Sequence, residues 1–229
     1  MTKLFVIEGL DGAGKSTQIK LLLKYLTEND NECEYLHFPR TDQPWFGELI
    51  ARFLRGEFGT INNVDPYLVA MLYAGDRKES ASVISDWLAG GKIVILDRYT
   101  YSNIAYQCAK VENEMKQEEL KRWILELEFN HFSIPRPDIN IFLDAPFKFI
   151  ERKLIGGRSG NDRNYLNGQN DIHESNLNFQ KKVREIYLRI ASTDNRLVIV
   201  DCSDGEGRIL SPEAIFTRIL SILKSRNLI

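Results

Sequence analysis

The chain has 229 residues, 43% of them hydrophobic and 27% charged, a composition that suits one large α/β domain or two small ones with a real core. Its 30 basic residues are balanced by 32 acidic ones, and a net charge of −2 argues against a broad nucleic-acid-binding face, although a few placed arginines would still suffice to grip a phosphate. Cys33, Cys108 and Cys202 lie far apart with no CxxC or Cys/His cluster, so neither a disulfide framework nor a zinc site is indicated, only thiols in a reducing compartment.

His37, His131 and His173 have no ligand spacing and read as structural or surface residues. No run of about 18 apolar residues occurs, so no membrane span is expected. The first residues pass straight into a strand-like run without a secretory signal, and a cytoplasmic protein is the expectation.

In chain order, KLFVIEG at 3–9 is a short apolar run closed by glycine, as suits a buried parallel strand. Ile19, Leu22, Leu23 and Leu26 fall at helical spacing and predict a helix over about 14–28. CEYLHFPR predicts a second strand broken at Pro39, and WFGELIARFLRG a helix stopped by Gly56. Asp65 before Pro66 signals the start of a long helix that runs to Leu88 and ends at Gly90 and Gly91. KIVILDR is the third strand. Helices follow over 102–109 and 117–130, the second with Leu120, Trp123, Ile124 and Leu127 on one stripe. DINIFLDA is strand four, and PFKFIERKL restarts a helix with Pro146 at its opening. Phe179, Val183, Ile186 and Ile190 mark the next helix, RLVIVD the fifth strand, and Ile215, Ile219, Ile222 and Leu223 a closing helix.

Strands spaced by helical segments require crossovers, which predicts an α/β fold: a three-layer, doubly wound, five-stranded parallel sheet with helices on both faces. No linker or repeat divides the chain, so 1–229 reads as one domain. The polar stretch IGGRSGNDRNYLNGQN is too long for a passive connection and reads as a mobile lid over about 152–170.

Gly9-Leu10-Asp11-Gly12-Ala13-Gly14-Lys15-Ser16 satisfies GxxxxGK[ST], directly after a strand and opening a helix, with Thr17 following. Such glycines let backbone N–H groups approach phosphate oxygens at the positive end of a helix. Lys15 is expected to reach the β and γ phosphates of ATP and the Ser16 hydroxyl to ligate Mg²⁺. Asp11 is a carboxylate inside an anion cradle. It is tolerable if it faces away, toward a second ligand, accepting from a sugar hydroxyl or from metal-bound water.

Three further stretches converge beyond the carboxyl ends of the strands, where ligands bind in open α/β sheets. FPR ends strand two at Arg40; LYAGDR places Tyr73 and Arg77 four apart on one helix face; DRYTYSNIAYQ carries Asp97, Arg98, Ser102, Asn103, Tyr106 and Gln107. Two arginines at strand ends suit a monophosphate dianion, and Tyr73 offers an aromatic face to a base.

This set closely resembles the thymidylate kinases of the P-loop nucleoside monophosphate kinase superfamily, over nearly the whole chain. The resemblance implies transfer of a phosphoryl group from ATP to dTMP with Mg²⁺, in a homodimer. It places Asp11 near the 3′-hydroxyl of dTMP or the metal water, Arg40 and Arg98 on the acceptor phosphate, and Phe38 and Pro39 beside the thymine methyl. Tyr73 would stack on the base, Arg77 and Asn103 bond to it, Tyr106 crowd the site of a 2′-hydroxyl, and Asp97 contact magnesium or its waters. Gly12 stands where some members carry an arginine. Members without it place arginines in the lid, and Arg158 and Arg163 are the candidates here, with Arg152 a third; Glu174 has two readings, a place near a metal or the base and, favoured over it, a solvated helix carboxylate. The rival readings are a deoxynucleoside kinase acting on thymidine and a non-catalytic nucleotide-binding switch.

Overall fold

Five apolar strands are spaced by helices, so neighbouring strands can pair only in parallel, through crossovers. The computed structural model describes residues 3–156, 165, 166, 168, 171–174 and 176–229. In order these form β1 (Lys3–Gly9), α1 (Lys15–Glu28), β2 (Cys33–His37), α2 (Phe46–Leu54), α3 (Pro66–Ala89), β3 (Ile93–Asp97), α4 (Thr100–Cys108), α5 (Glu114–Leu125), β4 (Ile139–Asp144), α6 (Phe147–Ile155), α7 (Leu177–Thr193), β5 (Leu197–Asp201) and α8 (Pro212–Ser225). The strand order is β2-β3-β1-β4-β5, every pair parallel.

Alternate side chains of a strand face opposite layers. Leu4, Val6, Val94 and Leu96 pack with Ala81 and Ile84 of α3. Phe5, Ile7, Ile93 and Ile95 join Ile19, Leu22 and Leu26 of α1. Helices therefore cover both faces, as the periodicity predicts. Cys108 and Cys202 are buried and Cys33 half-buried, all as free thiols. No described helix is long and apolar enough to cross a membrane.

Local signals set several helix starts. The Asp65 carboxylate accepts from the Tyr67 amide, with Pro66 in the first turn of α3. α5 begins three residues before the expected 117, because the Asn113 side chain accepts from the Lys116 amide and caps it there. Its expected end near 130 is a π-helical segment, Glu126–His131, which an apolar stripe cannot distinguish from α-helix. A Cβ at Gly47 would collide with the Arg40 carbonyl oxygen, so glycine is what lets α2 close on the exit of β2.

Register brings the site together. Ile7 pairs with Asp97, so the ends of β1 and β3 lie side by side. The Arg98 amide donates to the Ile7 carbonyl and the Phe38 amide to the Asp97 carbonyl, both at 3.0 Å, which ties three strand exits into one rim. Most of the expected lid, including Arg158 and Arg163, lies outside the described residues.

Candidate active site

At that rim a cleft of about 1390 Å³ runs from the glycine loop to the base of α2. Gly12 (φ 81°) and Gly14 (φ 91°) hold the left-handed backbone that the turn demands and that side chains resist. α1 then starts at Lys15, its first amides facing the loop. The Lys15 ammonium is buried and donates to the carbonyls of Gly9 and Leu10, both at 3.3 Å. Ser16 and Thr17 are exposed on the cleft wall, near Ala13. Half of the cleft is thus an anion cradle with its cation in place.

Asp11 turns its carboxylate out of that cradle. Oδ1 accepts from Arg98 Nη2 and Oδ2 from the Tyr106 hydroxyl, both at 2.9 Å. Arg98 itself has φ 67°, uncommon for a residue with a Cβ, which aims its guanidinium back across the loop. Its Nη1 donates to the Ser102 hydroxyl at 3.0 Å, and Ser102 donates to Glu8 at 2.6 Å. Glu8 is wholly buried and also accepts from the Tyr99 amide and the Tyr187 hydroxyl. Burial lifts its carboxyl above the usual range, against the pull of Ser102, Arg98 and Tyr187. Periodicity placed Glu8 in a strand and assigned it no part, yet it anchors this network.

At the end of β3, Asp97 is buried, with Oδ2 at 3.3 Å from His37 Nδ1 and Oδ1 without a partner. Burial pushes its carboxyl up, but Lys15, His37 and Arg98 outweigh that and hold it below its ordinary value. An ionised oxygen left unpaired in the same cleft as the Ser16 hydroxyl is the donor chemistry that a hard divalent cation takes. Arg40 lines the next stretch with Phe38 and Pro39. Its Nε donates to Asp76 Oδ1 at 2.8 Å and its amide to Oδ2 at 3.0 Å. Asp76 sits in the LYAGDR stretch between the two residues the sequence singled out.

The far end of the cleft is lined by Tyr73, Arg77, Asn103 and Gln107, as their spacing implies. Arg77 is held by Glu128, through Nε at 2.7 Å and Nη2 at 2.5 Å. Asn103 Nδ2 donates to the Ala70 carbonyl at 3.0 Å and to Glu128 at 2.9 Å, leaving Oδ1 buried and unpartnered. Both amide atoms of Gln107 are likewise buried without partners.

The segment before α7 and the end of α6 close the wall. His173 takes the structural of its two expected roles, buried at the cleft and stacked on Phe179 with ring centroids 5.3 Å apart; burial holds its imidazole neutral, well below its usual value. Glu174 lines the cleft instead of sitting on a solvated helix face. Arg152 is exposed and donates to the Lys148 carbonyl, whereas Lys153 lines the cleft beside Gly12.

Asp171 ties this segment, accepting from the Tyr165 hydroxyl and the His173 amide, both at 2.7 Å. Burial, with Asp11 nearby, raises its carboxyl to about 6. The folded state therefore holds this proton more tightly than the unfolded chain does. That stability is fully present below about pH 4 and lost as pH rises through about 6. Asp171→Asn, which cannot ionise, is expected to gain stability relative to the wild type between pH 4.5 and 7.5, read from paired urea titrations. An unchanged difference across that range would contradict the assignment.

A β2-β3-β1-β4-β5 parallel sheet with a GxxxxGKS loop on its central strand defines the class of P-loop nucleotide-binding proteins, and the second lobe of the cleft against the loop's flank gives room for a phosphoryl acceptor, as a nucleotide kinase requires. Comparison gives the family. A thymidylate kinase family model matches residues 7–210. A probable thymidylate kinase of Thermococcus gammatolerans is 36% identical over 87% of this chain and 88% of its own length. The thymidylate kinase of Mycobacterium tuberculosis is 30% identical over 90% and 94%. The solved thymidylate kinase of Candida albicans superposes with a TM-score of 0.73 at 27% identity, covering 99% of this chain and 92% of that one. The chain belongs to the thymidylate kinase family, which phosphorylates dTMP to dTDP.

Proposed function

We propose that ATP is the donor, bound through its phosphates to residues 9–17, and that dTMP is the acceptor, bound in the lobe beyond Asp11. The observation that carries the acceptor assignment is the Asn103 amide. Both its hydrogens are committed to oxygen acceptors, so its nitrogen and oxygen are assigned by the network, and the free Oδ1 is an acceptor. Thymine presents N3–H to such a group, whereas cytosine presents a second acceptor. Tyr73 supplies the stacking face and Phe38 and Pro39 the apolar border.

In this reading Arg40 and Arg98 hold the acceptor phosphate in line with the donor, and Tyr106 fills the space of a 2′-hydroxyl. Lys15 exchanges its long bonds to two carbonyls for a charge-assisted bond to the phosphoryl oxygens. Ser16 and Asp97 would hold Mg²⁺, which when bound neutralises charge on the phosphate oxygens. Arg158 and Arg163, in a lid over about 152–170, complete the cationic shell and exclude water. No strong base is required, because a monophosphate is already ionised. The whole chain acts as one kinase domain in a cytoplasmic homodimer, which light scattering tests.

A coupled assay with ATP·Mg²⁺ and a panel of dTMP, dUMP, dCMP, AMP and thymidine tests the reading. Turnover of dTMP is expected to exceed that of dCMP and AMP by at least about 10²-fold. Preferential turnover of thymidine would make the protein a deoxynucleoside kinase instead. ATP hydrolysis stimulated only by a protein partner would make it a switch.

A further inference from the structure

Glu128 is wholly buried and takes no place on the cleft wall, yet its carboxylate orients two groups that do. It sits in the π-helical segment after α5, a geometry that recurs at functional sites. Oε1 accepts from Arg77 Nη2 at 2.5 Å and Asn103 Nδ2 at 2.9 Å. Oε2 accepts from Arg77 Nε at 2.7 Å and the Thr100 hydroxyl at 2.8 Å. Four donors thus converge on one carboxylate from α3 and α4.

We propose that Glu128 is a positioning residue that sets pyrimidine selectivity, by locking Arg77 as a donor and Asn103 as an acceptor on the cleft wall. This rests on the acceptor reading above and names the device behind it. With Nε and Nη2 committed, Nη1 is the end of the Arg77 guanidinium left to meet a ligand. With Nδ2 committed twice, Asn103 shows only Oδ1. A donor beside an acceptor complements the 4-oxo, N3–H edge of thymine or uracil. Against cytosine both positions fail, donor facing amino group and acceptor facing N3, and unpaired buried polar groups are what specificity is made of. Without the carboxylate the Asn103 amide can turn over and offer its NH₂ to cytosine N3.

Glu128→Gln is the direct test. Its amide nitrogen must face an Arg77 donor whichever way it turns, which loosens the lock. The kcat/KM ratio of dTMP over dCMP is expected to fall at least about tenfold. The KM for dTMP should rise more than kcat falls, and the KM for ATP should stay within about twofold of the wild type. Removing charge from a buried pair endangers folding, so Glu128→Asp is measured beside it. That variant keeps the charge and draws the carboxylate back by one methylene, and it should lower the same ratio. A folded variant, verified by its melting curve, with an unchanged dTMP/dCMP ratio overturns the proposal and leaves Glu128 a strut between helices. Loss of fold in both variants overturns it too, since a positioning role leaves the fold standing. A wild-type protein inert toward dTMP would instead sink the acceptor reading.

Discussion

Lys15→Met lowers kcat for dTMP phosphorylation by on the order of 10³, with KM for dTMP changed by less than about threefold, in a coupled ADP-release assay. Methionine keeps the apolar stem, so the buried path of the side chain is filled and the loop stands. What disappears is the ammonium that opposes charge on the transferring group. Removing a single preorganised donor costs about 10²–10³ in rate, and a cation on a phosphoryl group up to about 10⁵. A second consequence follows at Asp97. Lys15 is the foremost of the charges that keep its carboxyl ionised against burial, so the variant also weakens the oxygen site for Mg²⁺. The concentration of Mg²⁺ giving half-maximal rate should rise with it. An unaffected kcat would mean that the glycine loop does not hold the reacting phosphate.

Arg98→Lys is the second large effect: kcat/KM for dTMP falls by on the order of 10²-fold or more while the KM for ATP is nearly unchanged. Lysine keeps the charge opposite Asp11, so the ion pair at 2.9 Å is not simply broken and folding is preserved. It cannot reproduce the fork. The guanidinium reaches Asp11 and Tyr106 through one nitrogen and Ser102 through another. An ammonium serves one of these at a time and leaves the acceptor phosphate without a fixed partner. Through Ser102, the loss spreads to Glu8, whose carboxyl also feels the Arg98 charge. A kcat/KM within about twofold of the wild type would remove Arg98 from the acceptor site.

Much of this site is legible in the chain itself. GLDGAGKS announces a phosphate loop because the constraint is local: glycines where φ is positive, then a helix start. Asp65–Pro66 likewise starts α3 because the cap and its target, the Tyr67 amide, are close neighbours in the chain and not parts of different elements. Tyr73 with Arg77, and Ser102 and Asn103 with Tyr106 and Gln107, reach one cleft because helical spacing puts them on shared faces. Asp76 stood in view inside LYAGDR, and only its pairing with Arg40 gives it a role.

Other residues carry no such signal. Glu128 belongs to a helix whose pattern offers one more polar residue beside an apolar stripe, and its partner Arg77 is 51 positions away. Glu8 looks like a strand residue before a glycine, yet it accepts from Tyr187 across 179 positions. His173 and Glu174 follow a polar stretch whose composition says lid but not which side chains turn inward.

Local chemistry, then, determined the strands, the helices, the phosphate loop and the kind of ligand the loop takes, since backbone torsion, capping and periodicity act over a few residues. The family resemblance was carried by the same short stretches. Tertiary structure alone decided which carboxylates orient the cleft, Asp11 toward Arg98, Asp76 toward Arg40 and Glu128 toward Arg77 and Asn103. A buried charge must find its partner wherever the packed chain brings one, and sequence distance places no limit on where that is.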